Sequence, residues 1–233
     1  MVTSKPLVMN ELKRCPVSDQ TFSEEVVNVI THGLGAVLAC AGTVSIVKHA
    51  WLYGTGLHVF TTAVYAIAWI VLFSCSTLYH YSRCLERKWH LRCLDHCAIF
   101  VVIAASYGPF MAHLVGGAKG YGMWVAAWLV AIAGIIFKFK SKHRYGAYAV
   151  FGYLLQGWMV MLVFPGIYAN LSAAGLANLL TCGFLISGGS ALYNRESIPY
   201  HHGIWHMCVL IGSICLYYCV LNSILPGPLP LVR

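Results

Sequence analysis

Apolar residues run along the chain in seven blocks, at about 26–47, 56–79, 97–115, 121–137, 145–167, 175–193 and 202–224. Each is close to the ~20 residues that a helix needs to cross the hydrocarbon of a bilayer. The connections between blocks are short, so sequence neighbours are expected to pack as antiparallel pairs. No room is left for a soluble domain. The pattern predicts an all-α polytopic membrane protein, a bundle of seven transmembrane helices. It divides the chain into a polar tail at 1–25, one membrane domain at 26–225 and a short carboxyl tail at 226–233.

Composition agrees with this division. Residues of the hydrophobic class make up 59% and charged residues 9%, with a mean hydropathy of +0.72. A soluble domain carries about 25% charged residues. The residues before position 26 are too polar for the apolar core of a cleavable signal peptide, so the first span is expected to act as its own insertion signal. Six of the ten cysteines (Cys40, Cys75, Cys182, Cys208, Cys215 and Cys219) lie inside apolar blocks. They read as small hydrophobes rather than a disulfide framework, and no CxxC pair suggests a thiolate metal site.

The net charge of +8 needs no nucleic acid to explain it. With seven spans, twelve of the fifteen Lys and Arg residues fall on the side of the amino-terminal tail and of the segments 80–96, 138–144 and 194–201. Only Lys48, Lys119 and Arg233 fall on the other. The asymmetry predicts a cytoplasmic amino terminus and an outer carboxyl terminus, in the inner or plasma membrane of the cell. The basic run at 138–144 reads as an anchor against anionic lipid.

Polar residues inside the blocks gather at one membrane depth, on that same side. Glu25, Asn28 and His32 recur at three and four residues and form one stripe on the first helix. Ser76 and His80 are one turn apart at the end of the second block, and Asp95-His96 precedes the third. His202 and His206 share one face at the head of the seventh, whereas His201 is turned about 100° away from His202. His96, turned likewise from Asp95, reads as interfacial. His49, His58, His90, His113 and His143, at span ends or in loops, read as solvated. Gly33 and Gly35 read as sites of close helix approach.

An i, i+4 histidine pair suits a metal ion, and it also suits hydrogen bonds to neighbouring helices. With His80 added, His202 and His206 give three nitrogens, the ligand set of hydrolytic zinc with one open position. Asp95 is then the candidate to orient or deprotonate a water, and Ser76 the candidate to hold His80 or Asp95 in place. Haem, the competing cofactor for transmembrane histidines, would leave the carboxylate without a role.

These residues resemble the signatures of the hemolysin III / progestin and adipoQ receptor family. The likeness lies in Glu25-x-x-Asn28-x-x-Thr31-His32-Gly, Ser76-x-x-x-His80, Leu94-Asp95-His96, the stretch from Ile103 to Pro109-Phe, and His202-x-x-x-His206. The absence of a large soluble tail is more similar to the bacterial hemolysin III branch. The resemblance implies seven helices, zinc on His80, His202 and His206, and Asp95 and Ser76 close to the metal. It also implies a distant likeness to alkaline ceramidases, so a membrane lipid amide or ester is the expected substrate. A cytolytic or pore-forming protein and a ligand-responsive receptor are the competing expectations. No protein partner and no oligomeric state follow from the sequence.

If the segment 80–96 is cytoplasmic, Cys84 and Cys93 stay reduced. A membrane-impermeant thiol reagent added to intact cells then labels neither. Labelling of either from outside would invert the topology.

Overall fold

A computed structural model describes residues 14–140 and 146–227. Lys5, Lys13, Lys142, His143, Arg144 and Arg233 lie outside the described residues. Among the described residues, eight α-helices follow one another: α1 (Phe22–Tyr53), α2 (Gly56–Tyr81), α3 (Leu85–Phe110), α4 (Gly117–Lys140), α5 (Gly146–Trp158), α6 (Phe164–Asn170), α7 (Ala173–Tyr193) and α8 (His201–Ser223). Among the described residues, seven helical stretches are long and apolar enough to cross a membrane, the fifth being α5 and α6 taken together. The seven expected spans are all present. As expected, α1 packs along α2, α2 along α3, α3 along α4 and α7 along α8, and α1 closes the bundle against α8.

The helices are apolar on the outside as well as within. On α1, Ile30, Val37, Val44 and Trp51 recur every seven residues and are all exposed. Its inner face carries the buried Glu25, Asn28, Thr31 and His32. A soluble helix shows the reverse arrangement.

Two helices are interrupted, each near a proline that lacks an N–H and crowds the preceding turn. Pro109 ends α3 in a π-helical turn, Met111–Val115. Pro165 opens α6 after a tightened 3₁₀ stretch, Met159–Val163. The Tyr107 hydroxyl donates to the carbonyls of Gln156 (2.6 Å) and Gly157 (3.1 Å) just before that stretch. Gln156 itself is buried, and its amide donates to Phe100 and Ala127 carbonyls at 3.1 Å each, tying α5 to α3 and α4.

Several expectations are corrected. The segment 80–96 is mostly helix, with only Ser82–Cys84 between α2 and α3. Its Lys88 is fully buried, because the start of α3 turns this side chain inward towards a carboxylate while its neighbours stay exposed. Cys93 is buried too, which leaves the exposed Cys84 as the thiol that reports topology. Lys138, read as part of an anchor against anionic lipid, is 2% exposed. Residues 14–21 do not behave as a free tail: Cys15 and Val17 pack beside Tyr79, and Arg92 donates to the Val17 carbonyl at 2.7 Å.

His58 and His113, read as solvated, are half-buried and stacked on each other at 3.7 Å. The side chain of His58 completes the N-terminal capping box of α2 with Thr55, and His113 is hydrogen-bonded to Thr61 at 3.2 Å. His49 donates to the Pro226 carbonyl at 2.8 Å. His90 is exposed, as expected.

Candidate metal centre

The site is built from the start of α1. Thr21 caps that helix and Glu24 returns the bond to the Thr21 backbone at 2.8 Å, a reciprocal capping box. The other Glu24 oxygen accepts the backbone N–H of Tyr200 at 3.2 Å. Tyr200, at φ 58° and ψ 20°, holds the left-handed turn that starts α8, a conformation uncommon for a bulky residue. One carboxylate therefore sets the starts of α1 and α8 side by side. Gly203 lets the two helices close further, since a Cβ there would meet Val27 at 2.9 Å and Asn28 at 3.3 Å.

This approach brings three histidines together. His80 comes from the last turn of α2, His202 and His206 from the first turns of α8. One ligand atom from each lies within 4.8 Å of the others. The ring centroids are 4.9 Å apart for His80 and His202, 5.0 Å for His80 and His206, and 4.6 Å for His202 and His206. Among the described residues, the Nε2 atoms of all three are buried without a hydrogen-bond partner. A buried polar atom left unpaired costs about 1–3 kcal/mol. Three such atoms, on residues whose ligand atoms lie within 4.8 Å of one another, suit a ligand set.

The opposite ring nitrogens of His80 and His206 are engaged. His80 Nδ1–H donates to Glu25 Oε2 at 2.6 Å. His206 Nδ1 lies 3.2 Å from the Thr31 hydroxyl, whose own hydrogen is directed at the carbonyls of Val27 (2.9 Å) and Asn28 (3.0 Å). Thr31 therefore accepts from His206. Both contacts place the proton on Nδ1 and leave the Nε2 lone pair free, as metal-ligating histidines require.

Glu25 is held in turn. Its Oε1 lies 3.0 Å from Lys88 Nζ and also accepts the Ser18 hydroxyl. Lys88 donates to the carbonyls of Tyr79 (3.0 Å), His80 (3.3 Å) and Ser82 (3.4 Å) at the end of α2 and sits over the Tyr79 ring. The sequence reading had placed Glu25 in the polar stripe, but it did not foresee its contact with His80 or the buried Lys88.

The other sequence candidates lie nearby. Ser76, one turn before His80, is buried, and Asp95 on α3 is 6% exposed. Asp95 is close enough to interact with Ser76, and with the cations Lys138 and Arg92, though the Ser76 hydroxyl has no hydrogen-bond geometry towards any described group. His201 turns away from the cluster: its Nδ1–H donates to the Tyr193 carbonyl at 2.7 Å. His96 stands outside the three-histidine group. Its carbonyl accepts the Tyr153 hydroxyl at 3.1 Å.

A helical bundle with seven membrane-crossing stretches and a sealed cluster of three histidines at one end is a multi-pass integral membrane protein with a site that could hold a metal ion. The model of the haemolysin-III-related family matches residues 20–217, and the chain belongs to that family. It is 36% identical over 201 residues to the hemolysin-3 homolog of Bacillus subtilis (strain 168), covering 86% of this chain and 94% of that protein. It is 35% identical over 207 residues to hemolysin-3 of Bacillus cereus, with coverages of 89% and 94%. The monocyte to macrophage differentiation factor of Homo sapiens matches at 27% over 231 residues, with coverages of 91% and 90%.

Replacing any one of His80, His202 or His206 with Ala leaves two ligands, too few for a tetrahedral site. Bound metal and thermal stability are expected to fall together in each variant, as read by elemental analysis and melting. His201→Ala keeps its metal and loses only about 1 kcal/mol with its bond to Tyr193.

Glu25→Gln is expected to weaken metal binding about 10- to 100-fold in a chelator competition, because the His80 ring loses its anionic acceptor. Unchanged affinity would mean that Glu25 serves Lys88 alone.

Proposed function

We propose that the protein is an intramembrane zinc-dependent hydrolase of a lipid amide or ester. The observation that carries this reading is the gathering of three histidines whose Nε2 atoms are buried and unpaired among the described residues. Three imidazoles without a thiolate are a hydrolytic ligand set for zinc, and they leave a fourth position open. Zinc held there would polarise an acyl carbonyl and acidify a water.

The chain's own residues supply the rest. Asp95 is the base that orients the attacking water and takes its proton. Ser76, one turn from His80 and close to Asp95, is assigned the positioning of the carboxylate, a contact that would form on binding. Glu25 and Thr31 hold His80 and His206 with their lone pairs turned to the centre. An apolar cavity of about 190 Å³ lies between α2, α3, α5, α7 and α8. Leu72, one turn from Ser76, and Trp205 and Val209, flanking His206, are among its walls. A cavity with those walls suits an acyl chain whose carbonyl lies at the histidines. The excess of Lys and Arg at this end of the bundle favours the cytoplasmic face for it.

The names of the Bacillus relatives favour a second reading, a membrane-lysing protein. A water-filled pore needs polar residues along the full height of a helix. Here the buried carboxylates gather at one end. Leakage of dye-loaded vesicles at low protein-to-lipid ratio would support lysis over hydrolysis.

Asp95→Asn keeps size and an acceptor and removes the charge. We expect it to fold, to keep its zinc and to lose about 10² to 10⁴ in rate against a panel of lipid amides and esters. Ser76→Ala is expected to lose less. Loss of zinc from Asp95→Asn would make the carboxylate a ligand, and full activity with bound zinc would remove it from the mechanism.

A further inference from the structure

The cluster contains a fourth imidazole to which the mechanism gives no role. His32, on α1, is 1% exposed. Its ring is stacked on His206 at 3.5 Å and 10°, and the edge contact with Phe73 is at 5.1 Å. Gly35 admits Phe73 to this position, since a Cβ there would meet the Phe73 ring at 2.6 Å. Among the described residues, neither ring nitrogen of His32 has a partner of good hydrogen-bond geometry, although the ring comes near the backbone of His206.

His32 does not belong to the group whose ligand atoms lie within 4.8 Å of one another, so it is not a fourth ligand of that set. It is near enough to His80 and His202 to feel a charge on either. Stacking alone does not account for a histidine here. A phenyl ring would stack on His206 and press on Phe73 without burying an unpaired donor and an unpaired acceptor, each of which costs free energy. The nearby Asn28 Oδ1, Ser76 Oγ and the three Nε2 atoms are unpaired as well. The pattern is that of a polar chamber whose hydrogen bonds are made by what it binds.

We propose that His32 is a binding residue of this chamber, a neutral imidazole whose N–H donates to the carbonyl or carboxylate oxygen of a bound acyl group. The proposal rests on the hydrolase reading for the class of ligand. It needs no change in the protonation of His32. In this arrangement the acyl chain runs towards the apolar cavity, whose walls include Trp205 and Val209 but not His32, its oxygen meets His32, and the stack on His206 keeps the donor aimed.

The test uses protein loaded with Co(II), octanoate as the probe and the visible Co(II) bands as the signal. His32→Phe keeps the stack and loses the donor. His32→Gln and His32→Asn restore an amide N–H near the places of Nε2 and Nδ1. All variants are expected to bind Co(II) as the wild type does. Octanoate affinity should fall about tenfold or more in His32→Phe, the loss of one hydrogen bond, and return to within about threefold in at least one amide variant. The metal-free Phe variant should melt at or above the wild type, because two unpaired buried atoms have gone. Any of four results would overturn the proposal: undiminished octanoate binding by His32→Phe, no recovery in either amide variant, loss of Co(II) or a lower melting temperature in His32→Phe, or no octanoate signal in the wild type. Octanoate binding that follows this pattern without turnover of any lipid would remove the hydrolase reading and leave His32 as a binding residue.

Discussion

A carboxylate inside a membrane bundle persists only where cations and donors surround it, and the site depends on how Glu25 meets that condition. Lys88 lies 3.0 Å from one of its oxygens and His80 2.6 Å from the other. Moving each ion of such a pair out of water costs several kcal/mol, so the pair is a poor source of net stability. What it provides is position. Lys88 also binds the carbonyls that end α2, which fixes α1, the end of α2 and the start of α3 to one another around His80. With Nδ1 committed to Glu25, the His80 ring has one nitrogen left, and it faces the other two histidines.

The bilayer explains why polar contacts carry so much of this architecture. Lipid is as apolar as a leucine side chain, so helices gain little from burying apolar faces against each other. Hydrogen bonds and close backbone approach do the joining instead. Glu24 links α1 to α8 through Tyr200, Gln156 links α5 to α3 and α4, and Gly203 removes the side chain that would hold α8 away from Asn28. The two ends of the bundle differ in chemistry. One holds the acids and the histidine triad, and the other is joined by the neutral contacts of His58, His113, Thr55 and Thr61.

Much of this was legible in the sequence. Apolar runs of membrane length marked the seven spans, and shared helical faces picked out Ser76 with His80 and His202 with His206. What escaped has a common cause. Lys88 read as part of a connecting segment and Lys138 as part of a lipid anchor, because charge counting leaves a lysine at the surface unless its partner is known, and the partner of Lys88 is Glu25, on another helix. The same counting made a loop of the start of α3, whose outward residues are polar while Lys88 and Asp95 turn inward. His32 was visible as a member of the α1 stripe. Its stack on His206 depends on how α1 and α8 cross, which no local pattern specifies. The pairing of His58 with His113 was hidden for the same reason.

The most direct test of the account is X-ray absorption at the zinc edge of the purified protein. Three imidazole nitrogens and one further light atom at about 2.0–2.1 Å are expected, with no sulfur shell. A shell at about 2.3 Å would mean thiolate ligands drawn from the ten cysteines. That result, or a protein that carries no zinc when purified without chelator, would contradict the central claim that His80, His202 and His206 hold the metal.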